Sequence, residues 1–314
     1  MTIKTYTSPQ AFKQALEQRL KLTSENGADF ARRRQLLVFD RFLARAMAAF
    51  GDAILLKGGL VLELRLDRAR ATKDIDLRLA ASPETVLTRL QEAGRQNLGD
   101  FMAFEVTRDL HQPTIQNDGM RYEGMRFLTE CRLAGKLYGQ PFGVDVAFGD
   151  PILGEPEIVT AEGTLAFAGI PSPTLRVYPV ETHIAEKLHA YTMPRARPNT
   201  RVKDLPDIAL LATIKSMEAE RLRTALKQTF DFRATHPLPL SLPDPNDGWA
   251  IPYGQMVISN ELAWPTLDQL TASARAFLDP VLTGVVGIWH PATWSWESIP
   301  TSRRHTDDRS AVLE

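Results

Sequence analysis

The sequence predicts a mixed α+β protein in which two helices lead into a sheet core and a helical domain follows. Three observations carry that prediction. Residues 29 to 50 place Leu36, Leu37, Phe39, Leu43, Met47 and Phe50 close to helical spacing. The period drops to two in "KDIDLRL", and strand-like runs crowd the stretch to residue 150. From Tyr178 the pattern turns helical again, in "VETHIAEKLHAYTM", "VKDLPDIALLATI" and "SMEAERLRTALKQTF". The expected organisation is N-terminal helices over 1–50, a core over 51–177, and a helical C-terminal domain with a polar tail over 178–314.

Taken in order, helices are expected at 8–24 and 29–50, with Ser8 before Pro9 and Ser24 to Gly27 as start and stop signals. "AILLK" is a short apolar run that ends at Gly58 and Gly59, and "LVLELRL" resumes with helical spacing. "KDIDLRL" reads as a strand with one face buried, and Ser82 to Gly94 as a helix. Strands follow at "FMAFEVTR", "MRFLTECRLAG" and "FGVDVAFGD", the last two joined through "KLYGQP" as a hairpin. The Pro- and Gly-rich stretch 151–177 reads as a connecting segment with short strands, and 234–254 as an extended crossing loop. One further helix is expected at "TLDQLTASARAFLDPVL".

Composition bounds the function classes. Hydrophobic residues are 44% and charged residues 24%, with no apolar run long enough to span a bilayer, so a soluble protein without a membrane partner is expected. The N-terminus lacks the zones of a secretory signal. A single cysteine, Cys131, excludes an internal disulfide framework and a cysteine-based zinc cluster, and fits a reducing cytoplasm. The formal charge of -1 gives no whole-molecule field for nucleic acid. Locally, Arg32, Arg33, Arg34, Arg41 and Arg45 lie mostly off the apolar face of their helix. They form either a solvated basic side or a ridge for a phosphate backbone. Six histidines are scattered without metal-ligand spacing, and neither a G-x-S-x-G elbow nor a P-loop occurs. Trp289, Trp294 and Trp296 are read as packing a terminal segment onto the helical domain, with stacking on an RNA base as the alternative.

The chemistry concentrates in "LLKGGLVLELRLDRARATKDIDLRL". On a strand, Asp74 and Asp76 share a face about 6.6 Å apart, while Ile75 and Leu77 point to the core. Adjacent carboxylates repel unless a cation lies between them, and hard oxygen ligands of this kind suit magnesium, with manganese as an alternative. Asp145, between Val144 and Val146, offers a third carboxylate if its strand pairs beside the first. Such a trio can hold two metals that clamp an in-line phosphoryl transfer. Lys57, Gly58 and Gly59 supply a turn that admits a phosphate closely, and Arg68, Arg70 and Lys73 add charge, so the assembly would hold a nucleoside triphosphate. Alone, "KGG" is also an ordinary turn and D-x-D a pair of solvated strand acids. Their spacing together carries the metal-site reading.

In the order "KGGLVLELRL...RATKDIDL", "VDVAFGD", "AEKLHAY" and "RVKDLPDI", the chain resembles the AbiEii family of nucleotidyltransferase-like toxins, which includes the MenT toxins. The resemblance covers roughly residues 50 to 215. It implies a DNA polymerase β-like nucleotidyltransferase sheet core with an attached helical domain. It also implies a toxin of a toxin-antitoxin or phage-defence pair, and a DNA-binding antitoxin encoded nearby. By the same resemblance Gly58 and Gly59 mark the triphosphate turn, Asp74 and Asp76 bind metal, and Asp145 falls at the third carboxylate. Lys187 would contact the triphosphate, and Asp204 would orient that lysine or act near the chemistry. Leu60 stands where the commoner family form has a Ser or Thr.

Independently, Ile184, Leu188 and Tyr191 form an apolar stripe with Lys187 at its edge, from which a lysine can reach into a cleft or stay an ordinary boundary residue. Asp204 and Asp207, around Pro206, can equally cap a helix. The leading expectation is a magnesium-dependent transfer of nucleotides to RNA, at the 3′ end of tRNA, which blocks aminoacylation and inhibits growth. The alternatives are nucleotidylation or phosphorylation of a protein partner, and a non-catalytic nucleotide-binding module.

Overall fold

A computed structural model describes residues 4–66, 71–110, 114–115, 124–149, 151–195 and 199–298. Helices α1 (Pro9–Thr23) and α2 (Gly27–Phe50) come first. The side chains of Ser8 and Asn26 accept hydrogen bonds from backbone N–H groups of the first turns, and Pro9 opens α1 where a missing N–H costs nothing.

Next come β1 (Ile54–Lys57), α3 (Gly59–Arg65), β2 (Ile75–Leu79), α4 (Pro83–Gly94), β3 (Met102–Arg108), β4 (Thr114–Ile115), β5 (Gly124–Leu133), β6 (Lys136–Leu137), β7 (Phe142–Phe148), β8 (Glu157–Thr160) and β9 (Thr174–Val177). They form one mixed sheet in the order β3-β5-β7-β2-β1-β9-β8, with β4 and β6 paired to β5. The β2/β7 and β1/β9 pairs are parallel, and the others are antiparallel. In β2, Ile75, Leu77 and Leu79 are buried while Asp76 and Arg78 are half-buried, so the period of two is the pleat of a strand with one open face. The short strands expected within 151–177 lengthen the main sheet beyond β1.

The rest of the chain forms α5 (Val180–Thr192), α6 (Asp204–Ala212), β10 (Met217–Glu218), α7 (Ala219–Arg233), α8 (Ala250–Asn260), α9 (Leu267–Leu282), β11 (Gly287–His290) and β12 (Ser295–Ser298). Two apolar clusters result. The first joins α1, α2 and α4 to the sheet, and the second is built on α5 to α9. Helix α3 enters both, with Leu60 and Val61 in the first and Leu62 in the second. Among the described residues no helix is long and apolar enough to cross a membrane.

Three expectations need correction. Of the arginines of α2 expected on a basic side, Arg41 and Arg45 lie in the core instead. Arg41 and Arg45 are 4% and 0% exposed and converge on buried Asp100 at 2.7 Å each. Arg32 pairs with Glu63, Arg33 with Asp29, and Arg34 with Glu17. The proline-rich stretch 234–254 is not loop throughout: α8 begins at Ala250, with Pro252 in its first turn, where an N–H has no helical partner. Finally, Met217–Glu218 leaves the expected helix to pair with β11, and β12 completes a three-stranded sheet. Trp289 is fully buried there, donates from Nε1 to the Ala212 carbonyl at 2.8 Å and packs on Phe277, so the tryptophans serve packing.

Candidate active site

Strand register places four charged residues in one row across the open face of the sheet. Lys57 of β1 lies opposite Asp76 of β2, Asp76 opposite Asp145 of β7, and Asp145 opposite Arg126 of β5. Directly opposite residues share a face, so the row reads cation, carboxylate, carboxylate, cation. Asp74, just before β2, extends it: the Gly143 N–H donates to Asp74 Oδ1 at 3.1 Å.

The row is tightly set. Gly58 has φ +71°, and a Cβ built on it would stand 1.9 Å from Asp76 Oδ2. A Cβ on Gly143 would stand 2.7 Å from Asp74 Oδ1. Each of these two carboxylates therefore rests against a glycine that no other residue can replace without displacing it.

Electrostatics differ along the row. Burial pushes the Asp76 carboxyl up to about 6, Asp145 and Asp74 add to the rise, and Lys57 and Lys187 oppose it. Asp145 accepts two hydrogen bonds at 2.6 Å, from Arg126 Nε and Nη2, and this pairing raises the Arg126 guanidinium further above its ordinary value. No local pattern in the sequence places Arg126 here, because it arrives through the β5/β7 register. The third carboxylate is thus engaged by a guanidinium, and among the described residues no three acidic, histidine or cysteine side chains are gathered in a form that could hold a metal. Asp74 and Asp76 offer hard oxygen donors, and the upward shift of Asp76 marks the excess of negative charge that a cation would relieve.

Further residues brace the acidic turn. The Arg32 guanidinium pairs with Glu63 and donates from Nη1 to the Thr72 carbonyl at 2.8 Å, while the Thr72 N–H donates to Glu63 Oε2 at 2.9 Å. The residues before Asp74 are thereby tied to α2 and α3. No local pattern puts Arg32 beside the acidic turn, because Glu63 and Thr72 lie 31 and 40 positions away from it.

Helices α5 and α6 bring the second group of charges. Lys187 Nζ donates to Asp204 Oδ1 at 3.2 Å and to Asp207 Oδ2 at 2.6 Å. Neither aspartate caps α6, whose N-cap is Lys203 without a side-chain bond. Both are buried against the lysine, so the capping alternative gives way to ion pairing. Lys57 reaches α5 from the sheet, pairing with Glu186 at 2.8 Å and lying over the Tyr178 ring at 5.1 Å. Glu186 also meets Arg233 of α7 at 3.3 Å. Leu60 packs into the core at 1% exposure, which is what its apolar side chain allows where a hydroxyl would need a partner. Arg70, expected to add charge for the nucleotide, lies outside the described residues, as does Arg68.

The site thus combines a glycine turn under two neighbouring carboxylates with a lysine held by two buried aspartates on the helices beside them. A profile described as "Nucleotidyl transferase AbiEii toxin, Type IV TA system" matches residues 41–273, most of the chain. The protein belongs to the AbiEii family. It is a nucleotidyltransferase of a type IV toxin-antitoxin family, which implies an NTP substrate and an antitoxin partner. Among solved structures, it is similar to MenT4, a nucleotidyltransferase toxin from Mycobacterium tuberculosis H37Rv. Identity is 17%, coverage is 90% of this chain and 92% of that one, and the TM-score is 0.57, a likeness of fold. A putative nucleotidyltransferase from H. pylori matches at 15% identity, over 82% of this chain and 96% of that one, with a TM-score of 0.43. JHP933 from Helicobacter pylori matches at 16% identity, over 64% and 79%, with a TM-score of 0.40. No curated protein matches this AbiEii chain.

Proposed function

We propose that the protein transfers a nucleotide from an NTP to an RNA hydroxyl, with the 3′ end of tRNA as acceptor and magnesium as the resident cation. The row of Lys57, Asp76, Asp145 and Arg126 across four adjacent strands is the observation that supports it. Asp74 and Asp76 would hold the cation, which when bound supplies charge neutralisation at the triphosphate.

In this proposal the other groups have separate tasks. Gly58 and Gly59 leave the backbone beside Asp76 open to a phosphate. Lys187, braced by Asp204 and Asp207, presents its ammonium group to the phosphates with little reorganisation. Lys57, spread between Glu186 and the Tyr178 ring, balances charge at the β1 end of the row. Arg126 fixes the carboxylate of Asp145, which helps activate the acceptor hydroxyl by accepting a hydrogen bond from it. An RNA end extended in this way cannot be aminoacylated, which would stop translation.

The test incubates purified protein with magnesium, each of four α-labelled NTPs and total tRNA, beside Asp76→Asn, and resolves RNA and protein on one gel. Label in tRNA that is absent with Asp76→Asn is the expected result. Label on protein with none on RNA would replace the acceptor. No label with any NTP, while Asp76→Asn stays toxic in cells, would leave nucleotide binding without transfer.

A further inference from the structure

A second cavity, of about 720 Å³, lies between α1, α2, α3 and the segment that follows β8. None of Lys57, Gly58, Asp74, Asp76, Asp145 or Lys187 lines it. Leu20, Leu36, Leu37, Leu64 and Phe167 form its apolar walls, and its volume is that of a small-molecule site.

One acidic group faces it. Asp40 lines this cavity and also a small adjoining one that it shares with Glu162. The residue is 6% exposed, yet among the described residues it makes no hydrogen bond or ion pair. The neighbouring Arg41 is committed elsewhere, donating from Nε to Asp100 Oδ2 at 2.7 Å and from Nη1 to the Pro171 carbonyl at 3.4 Å. The remaining polar groups of the lining are largely satisfied. Glu63 is bound by Arg32 and Thr72, Arg33 by Asp29, and Arg65 by Glu157, while Arg19 lies over the Phe167 ring at 3.9 Å. A buried carboxyl without a partner is costly, and native structures retain one where something else satisfies it. Here burial pushes Asp40 up to about 7, Glu162 adds to that rise and Arg41 opposes it, so the position as it stands disfavours an anion.

We propose that this cavity is a binding site for a small organic cation, an amine, amidine or guanidine on an apolar body, whose charged head pairs with Asp40 beside Glu162. The head would take up the unused acceptors of Asp40, and the body would lie against Leu20, Leu36, Leu37 and Phe167. Two properties select the ligand: a donor-bearing positive head for the carboxyl, and an apolar body for the walls.

Benzamidine, titrated calorimetrically into the full chain, is the probe, with neutral benzamide as its isostere. Wild type should bind one benzamidine, and Asp40→Asn, which keeps the shape, should weaken binding by at least about tenfold. Benzamide should bind at least about tenfold more weakly than benzamidine. Asp76→Asn separates this site from the sheet row, and benzamidine binding should survive it. Absence of binding at millimolar probe, equal affinity in wild type and Asp40→Asn, equal affinity for benzamide, or loss of binding in Asp76→Asn would each overturn the proposal. Circular dichroism of Asp40→Asn, expected to match wild type, confirms that the comparison is made between folded proteins.

Discussion

Replacing Gly58 by alanine probes the packing on which the active-site row depends. The added Cβ would stand 1.9 Å from Asp76 Oδ2, 2.5 Å from its Cγ and 2.7 Å from its Cβ, all far inside contact distance. Two costs follow. A non-glycine residue at φ +71° and ψ −159°, a region almost restricted to glycine, costs ~1–3 kcal/mol. Forcing the Asp76 side chain out of its place adds ~1–3 kcal/mol, the usual range for overpacking. Gly58→Ala should therefore lose ~2–6 kcal/mol of stability in the wild-type background. With Asp76→Gly already present, only the backbone part remains, ~1–3 kcal/mol. Urea denaturation of the four proteins, in buffer without divalent cations, gives the coupling as their double difference. A coupling of ~1–3 kcal/mol is expected. If Gly58→Ala costs the same in both backgrounds, the contact between the turn and the carboxylate is refuted.

Three further outcomes are expected. Arg45→Ala leaves Asp100 buried with a broken network and should cost ~3–5 kcal/mol in urea denaturation, where a loss below ~1 kcal/mol would show the pair to be dispensable. Trp289→Ala removes the fully buried centre of the three-stranded sheet and should cost ~3–5 kcal/mol; a stable variant with weakened RNA binding would return the tryptophans to a stacking role. Asp40 is raised from its ordinary 3.8 to about 7, so the folded state binds its proton more tightly than the unfolded state does. The stability this contributes is complete below about pH 4 and is lost by pH 7, so wild type should lose up to about 4 kcal/mol relative to Asp40→Asn over that range. Parallel pH profiles of the two proteins in urea denaturation would contradict this sign.

Some of the site could be read from the sequence because its signals are local. Ser8 and Pro9 mark a helix start through groups within one turn of each other, and α1 begins there. The alternation of Ile75, Asp76 and Leu77 states which face of β2 is open, since a strand reverses its side chains at every residue. The same alternation in "FGVDVAF" puts Asp145 on the opposite face from Val144 and Val146, and β7 pairs with β2.

What no local pattern could supply is the identity of partners across the fold. Arg126 meets Asp145 only because β5 and β7 are antiparallel in one particular register, which the hydrophobic period leaves open to a shift of two residues. Asp207 beside Pro206 resembles a helix cap until α5 and α6 pack together and bring Lys187 against it. Arg41 and Arg45 look like a basic helix face because charge usually seeks solvent, whereas buried Asp100, more than 50 positions away, supplies the countercharge that lets them enter the core. Asp40 shows the same logic reversed, as a buried acid that no cation pairs with among the described residues. Sequence alone determined most of the elements, their buried faces and the acidic pair, because these depend on residues a few positions apart. Tertiary structure decided which charges meet, because a pairing energy exists only once distant segments share one low-dielectric space.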